Sequence, residues 1–582
     1  MNLSLIKIIF NLLIYLLPHG KLMIKDQISY IILFLLFFAR CSSEKSGWDQ
    51  YLYSADVLKA QEVIAEDLLL NHIAILSSDE FEGRKPATKG GRKTIQYLVD
   101  EFEKSGLLPG NPNGQWTQKV NMLGVKSFVR TQFITDDERW AMKTGIDIIG
   151  NSYLKQKKIN LEKVDLVFCG YGVFAPEYGW DDFKDVDVKD KVVVVLVNDP
   201  PIKNGMNYDA NMFKGSAMTY YGRWSYKYEE ALRRGAAGAI VIHETEPAGY
   251  PFTVLQSGHD SEHLSIENKN SLKFEGWIPV NTAKRLFSMS GLLFSDMKKK
   301  ALSKSFKPQT LDAKFISRIS NTYRNVSSEN VVAKIEGSDP ILKDEYIIYT
   351  AHWDHLGSNN KLSGDKIYNG ANDNASGTSM VLTAARAFRS LEESTRRSIL
   401  FLALTAEEQG LLGAKYYNQN PLYPHKKTLA VINVDAMGNT YGRTKDLIIV
   451  GKGNSNLDQI VESAAKQNKK YTEADPEPEK GYFYRSDHFE FAKMGVPALY
   501  VDGGIDVRGK NKEFGRSKKT EYVENHYHSI SDEIKDEWIY DGMIEDTKIL
   551  FRVGYAISQH NEWPSWNEGT EFKAARDAML AE

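Results

Sequence analysis

At 582 residues the chain is too long for one compact core, so two or more domains are expected. Hydrophobic residues make up 42 % and charged residues 26 %, and Lys plus Arg total 73 against 76 for Asp plus Glu, a net charge of -3. That balance lacks the basic footprint of a nucleic-acid binder. Cys41 and Cys169 are the two cysteines, which excludes a disulfide scaffold and leaves His, Asp and Glu to hold any transition metal.

Two apolar runs open the chain, Leu3 to Leu17, interrupted by Lys7, and Ile28 to Ala39. The second is shorter than the roughly 20 residues of a membrane span and fits the apolar region of an export signal. Cys41 follows, then the polar stretch Ser42 to Ser46. This layout resembles a bacterial lipoprotein signal with Cys41 as the lipidated residue, although Arg40 stands where a small residue is usual. Residues 1–41 are therefore expected to export the protein to the periplasm or cell envelope and to hold it at the membrane by a lipid or an N-terminal anchor. Met23 is an alternative start. One cysteine left in the mature chain suits an oxidising compartment.

Helical spacing runs from Gln61 to Leu76 and again from Thr94 to Lys104, stopping at Gly106. The polar loop between them, Ser77 to Gly91, shows no chemistry beyond a charged edge that can border a site. Strands are predicted at Val164 to Phe168, at the β-branched run Lys191 to Val197 and at Ala239 to His243, with a helix at Tyr228 to Arg234. His243, His259 and His263 are scattered there without ligand spacing.

From Asn330 onward strands and helices alternate. Strands are predicted at Tyr346–Thr350, Ser398–Leu404, Leu429–Val434, Leu447–Val450 and Ala498–Val501, and helices at Ser376–Phe388, Gln409–Asn418, Leu457–Gln467 and Ile539–Ala556. The pattern predicts an α/β fold with a mixed, mostly parallel central sheet and helices on both faces, whose ligands bind beyond the carboxyl ends of strands.

Ionisable residues collect at those ends. The predicted strands lead into His352-Trp353-Asp354-His355, Glu407-Glu408 and Asp435, while Asp373 precedes a helix and His526-Tyr527-His528 comes much later. His352, Asp373, Glu408, Asp435 and His528 supply a donor set for a dinuclear site in which one carboxylate bridges two cations. Neighbours at a strand end point in different directions, so one of Glu407 and Glu408 can bind metal while the other moves protons. Asp354 is placed to accept the second ring N–H of His352.

AHWDHLG (351–357), NGANDNASG (369–377), TAEEQGLLG (405–413), NVDAMG (433–438) and HSISD (528–532) resemble the successive signatures of the co-catalytic zinc peptidases, the family of bacterial leucyl aminopeptidases and glutamate carboxypeptidase II. The resemblance implies two Zn2+ ions: His352 and Asp435 on one, Glu408 and His528 on the other, Asp373 between them and Glu407 as general base. It implies a zinc exopeptidase fold and hydrolysis of peptide substrates, in the first place as an aminopeptidase. A carboxypeptidase or dipeptidase of the family and a catalytically silent, receptor-like homologue are the alternatives. Tyr484, Arg485 and Asp487 are similar to a family segment lining the substrate cleft. Residues 170–200 look like the β-rich protease-associated domain often inserted in this family, a lid or specificity element. The expected organisation is thus an export signal at 1–41, a first part of the peptidase domain at 55–125, the insert at 126–325, the catalytic part at 326–565 and a C-terminal tail at 566–582.

Overall fold

After two short helices over Asp49–Leu52 and Ala55–Ala60 come α1 (Glu66–Leu76), α2 (Lys89–Lys104) and the long strand β1 (Thr117–Ile134). Helix α2 is capped by Thr88, whose hydroxyl accepts from the Gly91 amide at 3.2 Å. The expected helix over Gln61 to Leu76 is split. Residues 61–63 form a single 3-10 turn, and Ile64 then leaves helical geometry to bury its side chain before α1 begins. The structure, a computed structural model, describes residues 47–267, 271–436 and 439–581. The export signal expected over 1–41, with Cys41 and the alternative start Met23, lies outside the described residues, as do Met437 and Gly438. Among the described residues no helix is long and apolar enough to cross a membrane.

Next come β2 (Ile149–Asn151), β3 (Lys158–Phe168), β4 (Val192–Leu196), α3 (Trp224–Arg233), β5 (Gly238–His243), β6 (Phe274–Pro279) and α4 (Val280–Met289). Strands β3, β4, β5 and β6 run parallel, with β2 antiparallel at the edge. Every residue of β4 and β5 is buried, as parallel strands covered on both faces require. Phe133, Phe168, Phe274, Phe287 and Phe315 pack in the core on one side of this layer. Cys169 is buried as a free thiol.

The 27-residue β7 (Gln309–Ile335) runs through position 325 without a break. After it come β8 (Tyr346–His352), α5 (Gly377–Arg389), β9 (Ser398–Leu404), α6 (Leu412–Gln419), β10 (Thr428–Asn433), β11 (Asp446–Val450), α7 (Leu457–Lys466), β12 (Tyr471–Ala474), α8 (His488–Lys493), β13 (Ala498–Gly503), α9 (Lys512–Asn525), α10 (Asp541–Gln559) and α11 (Lys573–Ala581). Strand β7 pairs with β3 through 309–320, with β1 through 314–331 and with β9 through 331–335. It thereby joins both layers into one mixed sheet of order β12-β11-β13-β10-β8-β9-β7-β3-β4-β5-β6-β2.

Strands β9, β8, β10 and β13 are mutually parallel, and all residues of β8, β9 and β10 are buried. Helix α6 begins three residues later than the spacing predicts, because 407–411 form turns and Leu411 takes a left-handed φ of 60°. The last segment is part of the core: Trp566 and Phe572 are buried beside Phe483 and Phe489, and the Trp566 indole donates to the Gly495 carbonyl at 2.9 Å.

Candidate active site

The carboxyl ends of β8, β9 and β10 face one edge of the sheet, where α/β folds place their ligands. His352 is the last residue of β8, Glu407 and Glu408 follow β9, and Asp435 follows β10. Asp373 lies in the turn Ala371–Ser376 that feeds α5, and its peptide bond to Asn374 is cis. His528 follows α9.

These side chains converge. His352 Nε2 lies 3.3 Å from Asp373 Oδ1 and 3.2 Å from Asp435 Oδ1. His528 Nε2 lies 3.2 Å from Asp373 Oδ2 and 3.0 Å from Glu408 Oε2. The two oxygens of Asp373 therefore face two different histidines, each with its own second carboxylate. Glu407 Oε2 stands 4.0 Å from His352 Nε2, beside the cluster. His526 lies outside it, held by Glu521, Ser531 and Lys535.

A scaffold of backbone contacts fixes the turn that carries Asp373. Asp532 accepts from the amides of Asn372 and Asp373, both at 3.0 Å. Arg84, 1 % exposed, donates to the carbonyls of Leu76, Trp353, Asn369 and Gly370. Gly370 has a φ of 57°, and a Cβ there would meet the Asp373 carbonyl at 2.2 Å and the His355 ring at 2.6 Å, so no larger residue fits. His355 is buried with Nδ1 2.7 Å from Glu408 Oε1. Sequence reasoning assigned no role to Arg84, His355 or Asp532. His355 is three residues beyond His352, and Asp532 closes the HSISD motif, so both carried a local signal. Arg84 carried none.

Two expectations are corrected. The Asp354 carboxylate does not meet the His352 ring: Nδ1 faces the Asp354 backbone carbonyl at 3.1 Å, while Oδ1 is 4.0 Å away and accepts instead from the Glu407 amide at 3.0 Å. Asp354 thus anchors the Glu407 backbone. Tyr484 points into the core rather than the cleft, because its hydroxyl donates to buried Glu571 at 2.8 Å. Asp487 is fully buried behind His352 and Asp435, and Arg485 alone of the three expected substrate contacts lines the cleft.

The charge balance is dominated by acid. Burial pushes Glu407 well above the usual carboxylate range, and the neighbouring Asp435 and Glu408 add to this, while the nearby His352 opposes it. Burial alone would lower both histidines. Asp435, Glu407 and Asp373 instead hold His352 well above its ordinary value, and Asp373 and Glu408 hold His528 at about 10. Protons on the two imidazoles thus offset carboxylates that would otherwise repel one another, a task that bound cations perform equally well.

Residues 330–548 match the model of Peptidase family M28. This part of the chain belongs to that family. All five converging residues, with His355 and Asp532, fall inside the M28 segment, whereas Arg84 reaches it from outside. Aminopeptidase YwaD of Bacillus subtilis (strain 168) is 28 % identical over 215 residues, covering 37 % of this chain and 41 % of that protein. A protein named "Probable zinc metalloprotease" from Pyrenophora teres f. teres (strain 0-1) is 38 % identical over 117 residues, 20 % of this chain and 24 % of that one. The match spans less than half the length of these relatives. Among solved structures, an aminopeptidase from Aneurinibacillus sp. strain AM-1 aligns at 17 % identity over 89 % of this chain and 97 % of that chain, with a TM-score of 0.45.

A cleft of about 480 Å³ opens from the M28 cluster. His352, Asp373, Glu407 and Asp435 form its floor, and Tyr482, Tyr500, Phe514, Tyr527 and Trp538 are among its aromatic walls.

Proposed function

We propose that the chain is an exported zinc-dependent exopeptidase, an aminopeptidase that removes N-terminal residues from peptides with two zinc ions. The observation that carries this reading is the division of Asp373 between two histidines, Oδ1 toward His352 and Oδ2 toward His528. Neutral imidazole and carboxylate are suitable zinc donors, and ligand atoms of His352, Asp373 and Glu408 all lie within 4.8 Å of one another. In this reading His352 and Asp435 hold one ion, Glu408 and His528 the other, and Asp373 serves both. When bound, the ions polarise the scissile carbonyl and lower the pKa of the attacking water.

Glu407 takes the proton of that water and passes it to the leaving amine. Its position beside His352, with its amide tied to Asp354, suits a base that touches the reacting atoms without being a ligand. His355 and Asp532 orient Glu408 and the Asp373 turn. Membership of M28 and the likeness to an aminopeptidase support cleavage at the amino end, and the signal layout at 1–41 with Cys41 supports a lipid-anchored place in the periplasm or cell envelope.

The test is digestion of one peptide in three forms, free at both ends, N-acetylated and C-amidated, by purified protein of measured zinc content. Shortening from the amino end, abolished by acetylation, with two zinc ions per chain, is the expected result. Shortening from the carboxyl end would make the enzyme a carboxypeptidase, and full zinc without hydrolysis of any form would make it a silent homologue.

A further inference from the structure

The C-terminal segment, expected as a tail, meets the region expected as an insert behind one wall of the cleft. That wall is the stretch 482–486, of which Tyr482, Arg485 and Ser486 line the cleft. One end of it is tied to the strands that carry the acid cluster. The Ser486 hydroxyl accepts from Asn433 Nδ2 at 2.7 Å, and the Thr350 hydroxyl donates to Asn433 Oδ1 at 2.7 Å. Thr350 and Asn433 stand two residues before His352 and Asp435, on β8 and at the end of β10.

Tyr484 is tied elsewhere. Its hydroxyl donates to Glu571 Oε1 at 2.8 Å, and Lys214 of the insert region donates to Glu571 Oε2 at 3.0 Å. The Glu571 side chain is 6 % exposed, and Trp566 and Phe572 hold its segment in the core. Burial alone would raise its carboxyl, but Lys214 and hydrogen bonds, that of Tyr484 among them, keep it below its ordinary value and ionised. The insert braces the same stretch from behind. The Met218 amide donates to the Pro478 carbonyl at 3.0 Å, the rings of Tyr220 and Phe489 lie 5.3 Å apart, and Lys493 pairs with Glu229 at 3.3 Å. Among the described residues none of 214–229 lines the cleft, so the insert acts on it through the wall.

A buried carboxylate is costly to leave with one partner missing, so the places of Lys214 and Tyr484 are coupled. A shift of Tyr484 carries Tyr482 and Arg485 with it, while Ser486 stays with the strand ends. We propose that Glu571 is a positioning residue, which through Tyr484 sets Tyr482 and Arg485 against the substrate and through Lys214 makes that setting depend on the insert. This rests on the peptidase reading above and adds how the insert and the C-terminal segment act on substrate binding.

The test uses the zinc-loaded full chain and the peptide Leu-Gly-Phe. Glu571→Gln keeps the shape but turns a donor toward Lys214 or Tyr484. Because small misplacements of a binding group are costly, KM is expected to rise roughly 10-fold while kcat stays within about threefold of the wild type. Lys214→Met and Tyr484→Phe should each raise KM, and together no further than the larger of the two, since both act through one carboxylate. Lys214→Arg keeps the charge and should stay within about twofold of the wild-type KM. An unchanged KM in Lys214→Met or Tyr484→Phe, even with a lowered urea midpoint, overturns the proposal, and so do effects that multiply in the double variant. Should Glu571→Gln fail to fold, those two variants decide the question. If the wild type does not cleave the peptide, the peptidase reading fails separately. Calorimetric titration with Leu-Gly-Phe then tests the positioning: weaker binding by the variants upholds it, and equal or absent binding overturns it.

Discussion

His528 Nε2 lies 3.2 Å from Asp373 Oδ2, although one residue follows a peripheral helix and the other precedes a core helix. The contact closes the cluster, because the other oxygen of Asp373 already faces His352. Asp373 is thus the single side chain shared by both halves of the site.

Removing it should uncouple those halves. Asp373→Ala is expected to lower zinc affinity by at least ~100-fold and to abolish peptidase activity. Elemental analysis after dialysis against a weak chelator checks this. Wild-type zinc content in the variant would show that Asp373 is not shared between ions.

Glu407→Gln asks a different question of the same cluster. The amide keeps the shape and its backbone tie to Asp354 but cannot accept a proton. Zinc content is expected to stay at the wild-type level while kcat falls by roughly 10²–10⁴, the usual worth of a positioned base. Wild-type turnover would remove Glu407 from the reaction.

How much of this was legible in the sequence follows from what is local. Strands β8, β9 and β10 announce themselves as unbroken apolar runs, and the residues just beyond them, His352, Glu407, Glu408 and Asp435, inherit a position from the strand ends. Asp373 and His528 lie on loops, and the motifs around them rather than periodicity drew attention to them. Contacts between distant segments were not legible. Arg84 reaches the carbonyls of Trp353, Asn369 and Gly370 from a loop that reads as plain charged surface. Tyr484 and Asp487 share a motif with Arg485, yet alternate packing sends both inward, and no sequence pattern announces Glu571 as the partner of Tyr484.

Arg84 yields the third prediction. Its guanidinium donates to five buried carbonyls, that of Asp373 among them, and lies near the acid cluster, so a methionine of similar bulk would leave those acceptors unpaired and remove a positive charge. Arg84→Met is expected to destabilise the protein by roughly 3–5 kcal/mol and to weaken zinc binding through the displaced Asp373 turn. Arg84→Lys should recover only part of this, since a point charge cannot serve the fork geometry. Urea midpoints and competitive zinc titration check both. Wild-type midpoints in Arg84→Met would show that the carbonyls find other donors.

His72, on the inner side of α1, gives the last. Its ring is buried, with Nδ1 2.6 Å from the Tyr97 hydroxyl, and burial lowers its pKa from 6.5 to about 4. The folded state therefore takes up this proton later than the unfolded chain as pH falls. Its contribution is complete above about pH 6.5 and is lost progressively as the pH drops toward 4, about 2 kcal/mol of it by pH 5. Other groups titrate over the same range, so the comparison is with His72→Gln, which has no proton to gain. The gap between the urea midpoints of wild type and variant should shift against the wild type by that amount between pH 7 and 5. Parallel pH profiles for the two proteins would place the His72 proton in the folded state at ordinary pH, and the packing of α1 against Tyr97 would then have to admit a charge.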